Sequence, residues 1–393
     1  TEQSAMNVCI SGFGAVSSLG VGLEATRQGL YAPPKLPTLP TRVDTSLRLP
    51  VFEVPLAGES GQPGGFTNTM LELALTEALD QAGLTRSSLA GRKVGVCIGT
   101  TVACQLNNIP FYDDLRSGRA ASADLFRRYV VSAPAEWLRR ELKLDGPAIN
   151  VSNACASGAD AIGIGALWLE QGACDLVIAG GADELNKVPL DGFHALGICS
   201  KQPCRPFAAD RDGLNLGEGA GVMVLERPDD AKRRGHCPRH TLAGFGKAAD
   251  AYHITQPHPD GVGLEIAITN AFRQAKAKPA DVAFINAHGT GTDVNDRVEG
   301  QTLARLFPPN FAYMSTKSLV GHTLGAAGAL EAIFTCIMLE QGVVARNHRC
   351  PACPPDIPVA PLSADLAFDG DLALSTSLAF GGSNTALVIK RMS

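Results

Sequence analysis

Apolar runs of two lengths alternate along most of this 393-residue chain. The short runs resemble buried strands and the long runs have the length of helices, a pattern typical of α/β proteins. The predicted strands are residues 8–11, 94–98, 147–151, 176–180, 222–225, 282–286, 374–379 and 386–389, and the predicted helices are residues 69–82, 156–171, 264–276 and 324–341. Residues 31–65 are rich in proline and glycine without a clear period, which predicts an irregular surface connection.

Two of the predicted helices end in similar sequences. Residues 165–172 read GALWLEQG and residues 328–342 read GALEAIFTCIMLEQG, and each helix follows a turn. A duplicated chain would place two equivalent helix starts near one shared axis. Chance similarity between two buried helices is the alternative.

Composition narrows the class of protein. Hydrophobic residues make up 45% of the chain, charged residues make up 19%, and the net charge is −5. No uninterrupted apolar run reaches the ~18 residues of a membrane span, and no basic excess favours nucleic acid as the main partner. Eleven cysteines without regular spacing, and no recognisable signal peptide, favour a reducing compartment. We therefore expect a soluble, cytoplasmic protein with no membrane span and no nucleic acid partner.

One cysteine lies among residues too small to cover it. Residues 151–160 read VSNACASGAD, between a predicted strand and a predicted helix. Cys155 is therefore predicted to lie at the turn before the helix, where free backbone N–H groups stabilise a thiolate or an oxyanion. A structural thiol is the alternative, because free cysteines are often buried.

Three further segments combine polar side chains with glycine-rich turns. Residues 284–300 read FINAHGTGTDVNDRVEG and carry His288 where an apolar strand meets a loop. Residues 315–332 read STKSLVGHTLGAAGALEA and carry Lys317 and His322 in the turn before the second repeat helix. Residues 377–389 read SLAFGGSNTALVI and turn after Phe380, which aims backbone N–H groups at a ligand. With Cys155, these residues fit nucleophilic catalysis by a thiol and two neutral imidazoles.

In their order along the chain, these motifs resemble those of the β-ketoacyl-(acyl carrier protein) synthases of the elongating Cys-His-His type, condensing enzymes of the thiolase-like superfamily. The motifs are VCISGFGAVSSLG (8–20), ACASG (154–158), RPFAADRDGLNLGEGAGVMVLE (205–226), DAYHIT (250–255) and AFGGSN (379–384). The resemblance implies an internally duplicated, thiolase-like α/β fold with five layers, α-β-α-β-α. It implies an N-terminal half, residues 1–226, with the nucleophile and a C-terminal half, residues 227–393, with the histidine pair.

The resemblance also implies roles for the residues of the site. Cys155 resembles the acyl-accepting nucleophile, and His288 and His322 resemble the pair that promotes decarboxylation. Lys317 resembles the lysine that orders the two histidines, and we expect its ammonium near Glu299 and the histidines. Phe380 resembles the gate residue whose N–H joins that of Cys155 in the oxyanion hole.

Four further residues match supporting positions of the family. Asp296 and Glu299 match the acidic positions after the first histidine, and Glu299 is the expected neighbour of the lysine ammonium. Thr290 and Thr292 match threonines that hold the pantetheine arm. Substrates would arrive on the phosphopantetheine arm of acyl carrier protein, and the chemistry implies no metal and no redox cofactor.

The implied activity is the decarboxylative condensation of malonyl carrier with an acyl group held on Cys155, which extends a fatty acid, polyene or polyketide chain. The implied assembly is a homodimer, or a heterodimer with a related ketosynthase-like subunit. An alternative is a subunit that acts mainly as a partner in a heterodimeric synthase of aryl polyenes or polyketides. Non-catalytic partners of that kind lack the nucleophile, so Cys155 and both histidines favour an active subunit.

Other classes of protein fit the motifs less well. The glycines of SGFGAVSSLG are not spaced as G-x-G-x-x-G, which argues against a dinucleotide site. The segment HRCPAC offers Cys350 and Cys353 near a histidine, but no second pair follows at zinc-finger spacing. A degradative thiolase would have a reactive cysteine where Phe380 stands, and the initiating type of synthase would have asparagine in place of His322.

Carrier docking and chain length are less constrained by the sequence. The predicted start of a helix near residues 65–68 lacks the basic cluster that elongating synthases often present to an acidic carrier. Other basic residues are the candidates for docking, namely Lys201, Arg205, Arg127 and Arg128, and docking on a partner chain is the alternative. The loop 100–106 resembles the segment that lines the far end of the acyl tunnel, with Cys104, Gln105 and Leu106 as candidates for a chain-length stop.

Overall fold

A computed structural model describes residues 6–56, 65–102, 109–124, 126–127 and 132–392 of the chain. The strands are β1 Val8–Ser17, β2 Gly20–Val21, β3 Val94–Gly99, β4 Ala148–Val151, β5 Leu176–Asp183, β6 Gly219–Glu226, β7 His240–Ala249, β8 Phe284–Asn286, β9 Tyr313–Met314, β10 Val343–Val344, β11 Leu366–Ala367, β12 Leu372–Ala379 and β13 Ser383–Arg391. The α-helices are α1 Leu23–Tyr31, α2 Gly65–Gln81, α3 Ile109–Arg116, α4 Pro134–Glu141, α5 Ser157–Glu170, α6 Lys187–Ala195, α7 Pro228–Arg233, α8 Val262–Ala275, α9 Asp293–Leu306, α10 Lys317–Val320 and α11 Ala327–Gln341.

The strand order shows that the chain is duplicated. The main sheet runs β4-β3-β5-β6-β1-β7-β13-β12-β8-β9, with β2 paired to β1. The outer strands of each half are parallel, as in β3 with β5 and β8 with β12, and the inner pairs are antiparallel. Read from its outer edge, each half therefore has the same strand order and the same directions. The predicted boundary between residues 226 and 227 falls between β6 and β7 and stays a prediction.

Helices cover both halves of the sheet and fill the space between them. Helix α2 packs on β1 and β6, helix α8 packs on β7 and β13, and α5 and α11 pack on each other in the middle. Three hydrophobic clusters correspond to these contacts, and the largest surrounds α5 and α11. The layers are therefore α-β-α-β-α, as predicted.

The two middle helices approach closely at their first turns. A methyl group added to Gly158 would lie 2.8 Å from Gly325 O, and one added to Gly328 would lie 2.7 Å from Ala159 Cβ. The start of α5 thus packs on the start of α11, and the start of α11 packs on the start of α5. The equivalent helix starts predicted from the repeat are confirmed.

Strand β7 is the main element that the periodicity did not predict. A Cβ on Gly244 or Gly246 would lie about 2 Å from carbonyl oxygens of α8, at 2.1 and 1.9 Å. Glycines therefore replace the apolar residues that mark a strand. Strand β1 packs on α2 in the same way, through Gly12 and Gly14. The residues SGFGAV of the rejected dinucleotide motif thus lie inside a strand rather than at a phosphate-binding turn.

The remaining segments follow the sequence interpretation. Of the predicted irregular connection, Tyr31 ends α1 and Gly65 begins α2, whereas residues 32–56 contain no helix and only isolated bridges. The stretch Leu324–Gln341 has the length and mean hydropathy of a membrane span, but 89% of it is buried inside the fold. It is therefore a core helix.

Candidate active site

The turn that carries the predicted nucleophile, Cys155, connects β4 to α5. Cys155 lies just before the first residue of α5, as predicted, and is 5% exposed. Ala154 adopts a left-handed conformation with φ 45°, which is strained for a residue with a side chain. Ser157 Oγ accepts from Asn153 N at 2.8 Å and donates to Ala154 O at 2.6 Å. The turn is therefore fixed by the start of the helix that follows it.

The Cys155 thiol is a neutral group at rest. Burial raises its pKa to about 11, although the Lys317 ammonium and the backbone N–H of Phe380 favour the thiolate. The sequence interpretation stressed a helix start that favours a thiolate, and in the structure desolvation outweighs that effect. Phe380 N–H nevertheless faces the sulfur, which places one donor of the predicted oxyanion hole beside the nucleophile.

His322 contacts the nucleophile directly. Its Nε2 lies 2.9 Å from Cys155 Sγ, and its Nδ1 accepts from Leu324 N–H at 3.2 Å. A lone pair at Nδ1 leaves the proton on Nε2 of the neutral ring. The backbone of His322 pairs with residues 215–217, since His322 N–H donates to Asn215 O and Gly217 N–H donates to His322 O. The motif around residues 205–226 therefore holds this histidine in place.

His288 lies at the end of β8 and carries the same tautomer. Lys317 Nζ donates to His288 Nδ1 at 3.1 Å and to His288 O at 2.6 Å. The proton of the neutral ring is therefore on Nε2, as in His322. The two rings lie edge to face with centroids 5.4 Å apart.

Both imidazoles are neutral over the physiological range. Burial lowers the pKa of His288 and His322 well below the usual value, and Lys317 lowers both further. Cys155 Sγ and one ring nitrogen of each histidine all lie within 4.8 Å of one another. The arrangement presents two N–H donors to an oxygen atom placed beside the thiol.

Glu331 is the functional neighbour that the sequence interpretation missed. Lys317 was expected beside Glu299, but its ammonium donates to the buried carboxylate of Glu331 in α11. Burial raises the pKa of Glu331 to about 7, and Lys317 lowers it. The available signal was a carboxylate, Glu331, among the buried and mainly apolar residues 327–339 of α11, because an unpaired buried charge is costly.

Asp296 and Glu299 hold the loop after His288. Glu299 accepts from His288 N–H and Gly289 N–H, each at 2.8 Å, and from a threonine hydroxyl of β12. Asp296 accepts from Thr290 N–H at 2.9 Å and from Phe207 N–H at 2.7 Å. Burial raises the pKa of Glu299 to about 7 and that of Asp296 above its usual value. Both side chains are thus in the predicted place, but they hold backbone rather than the lysine.

A cavity of about 380 Å³ leads to these groups. Cys155, His288 and His322 line it together with the predicted residues Thr290, Thr292 and Phe380. The two threonine hydroxyls bond to each other at 2.8 Å. Phe380 stacks on Phe193 of α6 with ring centroids 5.6 Å apart. Phe193 was not predicted, because no motif or periodic pattern in the sequence singles it out.

The other predicted residues lie elsewhere or outside the described part of the chain. Cys350 and Cys353 are half-buried, burial raises the pKa of both thiols, and they form no metal-ligand cluster among the described residues. Arg205 pairs with Asp210 and Asp212. The remaining docking candidates are Lys201, which is exposed, Arg127, which is exposed and close to Asp124, and Arg128, which lies outside the described residues. The three chain-length candidates, Cys104, Gln105 and Leu106, also lie outside them.

Comparison with known families identifies the chain. The model for the Beta-ketoacyl synthase, N-terminal domain, matches residues 65–231, and the model for the C-terminal domain matches residues 240–350. The chain belongs to the β-ketoacyl synthase family. Cys155 lies in the first matched domain of this β-ketoacyl synthase, and His288 and His322 lie in the second.

Known proteins resemble the synthase over nearly its whole length. It is 31% identical to 3-oxoacyl-[acyl-carrier-protein] synthase 2 of Staphylococcus aureus, over 98% of each chain. It resembles the structure titled the ishigamide ketosynthase/chain length factor with TM-score 0.91 and 30% identity, over 99% of this chain and 100% of that one. A ketosynthase structure with its type II polyketide synthase acyl carrier protein and a bound hexaketide gives TM-score 0.89 and 25% identity, over 99% and 100% of the chains. These matches confirm the thiolase-like fold and the class of condensing enzyme.

Proposed function

We propose that this synthase joins an acyl group held on Cys155 to the two-carbon unit of malonyl carrier, with loss of carbon dioxide. The observation that carries the proposal is the pair of buried, neutral imidazoles beside the Cys155 thiol in the cavity wall, each with its Nδ1 held by a donor so that its proton is on Nε2. A condensing enzyme needs both a nucleophile and two neutral donors at this place.

The first half-reaction charges the enzyme. Cys155 sulfur attacks the thioester carbon of the acyl carrier, and the carbonyl oxygen becomes an oxyanion that the N–H groups of Cys155 and Phe380 stabilise. The carbon–sulfur bond to the carrier then breaks, and the pantetheine sulfur takes up the proton that the thiol loses. The products are acyl-Cys155 and the free carrier thiol.

The second half-reaction lengthens the chain. Malonyl carrier enters by the same cavity, and its carbon–carboxylate bond breaks to release carbon dioxide. The electron pair forms an enolate whose oxygen accepts from Nε2–H of His288 and His322. The enolate carbon attacks the carbonyl of acyl-Cys155, the carbon–sulfur bond breaks, and the sulfur leaves as a thiolate that takes up a proton from solvent. The β-ketoacyl product leaves on the carrier.

The hydrogen bonds of the two histidine rings argue for a site that works without a metal. Cysteine and histidine are common zinc ligands, but a metal needs the lone pair of a ring nitrogen. At His322 and His288 that lone pair is on Nδ1, where Leu324 N–H and the Lys317 ammonium occupy it. We therefore propose that activity survives treatment with a strong chelator.

The partner is an acyl carrier protein, which approaches the cavity from its solvent side. We place the reaction in the cytoplasm. Lys201 supports docking near the cavity, because it is exposed and close in sequence to Ile198 in the cavity wall. Thr290 and Thr292 line the cavity and fit the polar pantetheine arm.

A heterodimeric synthase of a specialised polyene or polyketide is the second candidate. It is favoured by the similarity to the ishigamide ketosynthase/chain length factor and by residues 65–68, which read GFTN and carry no basic side chain. In either case the chain supplies the nucleophile.

The test is product formation by the purified chain. The chain is incubated with acyl carrier and malonyl carrier, and the carrier-bound products are identified by mass spectrometry. A β-ketoacyl carrier two carbons longer than the primer is expected. Product that forms only after addition of a related subunit would favour the second candidate, and absence of product in both cases would contradict the proposal.

A further inference from the structure

A buried carboxylate of α5 connects three distant segments beside the active site. Asp160 is fully buried, five positions after the nucleophile. Its Oδ2 accepts from Asn153 Nδ2 and from Lys247 Nζ, each at 2.5 Å, and its Oδ1 accepts from Thr385 Oγ1 at 2.6 Å. None of these residues lines the cavity. Asp160 therefore does not touch the substrate.

Asn153 extends this network to the gate loop. Its Nδ2 donates to Asp160 Oδ2 and also to Ser383 Oγ at 2.7 Å. Asn153 precedes Cys155 by two residues, and Ser383 follows Phe380 by three. The amide of Asn153 thus ties the nucleophile turn to the segment that carries the second oxyanion donor.

We propose that Asp160 is a positioning residue that sets the separation of the Cys155 and Phe380 N–H groups. The inference rests on the proposed function, in which these two groups form the oxyanion hole. Donors of this kind act only when they lie about 2.7–3.1 Å from the oxyanion. The two donors belong to different halves of the chain, so their spacing needs a direct connection, which Asp160 and Asn153 provide.

The role requires a carboxylate at this position. Asp160 accepts hydrogen bonds from three donors and donates none, which is the bonding pattern of an ionised carboxylate. The Lys247 ammonium, 45% exposed, is the cation that balances the buried charge. An amide at position 160 would direct its NH₂ group at one of these donors and lose that bond.

The test separates acyl transfer from thiol reactivity in the full-length enzyme. Asp160→Asn is compared with wild type for acylation of Cys155 by acyl carrier, which needs the oxyanion hole, and for alkylation of Cys155 by iodoacetamide, which forms no oxyanion. We expect acylation to slow by about tenfold or more, while alkylation stays within about twofold of wild type. Equal changes in both rates, or no change in either, would overturn the proposal.

Two further variants make the result decisive. Ser383→Ala removes only the link to the gate loop, and its acylation should also fall relative to alkylation; if Asp160→Asn does not fold, this variant decides.

Glu226→Gln is the matched control, because Glu226 is a fully buried carboxylate that pairs with Arg234 away from the cavity. Its ratio of acylation to alkylation should equal that of wild type. Wild type that takes up no acyl group would refute the proposed function itself, whereas normal acylation of both network variants would refute only the role of Asp160.

Discussion

One cation acts on all three reacting groups of the site. The ammonium of Lys317 lowers the pKa of Cys155, His288 and His322, although it bonds directly to only one of them. Burial raises the pKa of the thiol, so there the ammonium acts against burial. Burial lowers the pKa of the imidazoles, so there the ammonium and burial act in the same direction. Lys317 therefore keeps the histidines neutral while it limits the rise in the thiol pKa.

Replacing Lys317 by Met should change the pH dependence in a defined direction. Without the cation the pKa of both histidines rises, so decarboxylation is lost at a higher pH on acidification than in wild type. The thiol pKa rises too, so alkylation by iodoacetamide needs a higher pH. Glu331, left without its partner, takes up a proton. The pH–rate profiles of the two reactions test this, with Lys232→Met as the control, because Lys232 is an exposed lysine of α7 that does not line the cavity.

The two half-reactions should separate at the histidines. His288→Ala and His322→Ala each remove one donor to the enolate, which lowers decarboxylation by roughly 10²–10³-fold. Acylation of Cys155 should persist, because its oxyanion is bound by backbone N–H groups. Carbon dioxide release and acyl uptake are measured separately. Normal decarboxylation combined with failed acylation in both variants would reverse the assignment.

At the scale of elements, the site depends on the close packing of α5 and α11. Gly158 and Gly328 let the first turns of these helices touch. Cys155 lies two residues before the first residue of α5, and His322 lies five residues before the first residue of α11. A side chain at either glycine would push the two halves of the site apart.

Gly328→Ala should therefore destabilise the fold. Its methyl group would meet Ala159 N at 2.8 Å, a backbone atom that cannot move alone. Overpacking of this kind costs about 1–3 kcal/mol, measurable as a lower urea midpoint. Gly192→Ala in α6 is the control, because a methyl group there meets no atom within 4 Å. A Gly328→Ala variant as stable as wild type would contradict the account of this contact.

The sequence was most informative where local pattern and motif agree. Cys155, His288, His322 and Lys317 were predicted because each follows a strand or precedes a helix of small residues. Strand β7 was not predicted, because glycines that allow close packing on α8 stand where apolar residues would mark a strand. The sequence AGFGKA (243–248) nevertheless resembles the SGFGAV of β1. Glu331 was not predicted as the partner of Lys317, because only the packing of α11 decides which buried carboxylate lies beside the ammonium.

At the scale of the molecule, no strand of the described residues pairs with the outer side of β4. Strand β4 ends the strand order, and Ile149 on it is 42% exposed. Edge strands without charge or proline pair readily with another strand. Tyr112 and Leu115 of α3 are further exposed apolar residues. An apolar edge of this kind fits the dimer implied for the family.

Ile149→Lys should weaken self-association or association with a related subunit. A charge on the edge strand opposes strand pairing, so sedimentation should show more monomer than in wild type. Leu36→Lys is the control, because Leu36 is 70% exposed in the irregular connection. An unchanged association state for Ile149→Lys would place the interface elsewhere.

The central claim is that Cys155 carries the growing chain, and intact-protein mass spectrometry tests it most directly. Wild type and Cys155→Ala are incubated with a panel of acyl carriers, and the mass of each protein is recorded. The account predicts one acyl adduct per chain in wild type, located on the peptide that contains Cys155, and none in the variant. The relative yields across the panel would report the preferred acyl group. An adduct of the same stoichiometry on Cys155→Ala would contradict the account.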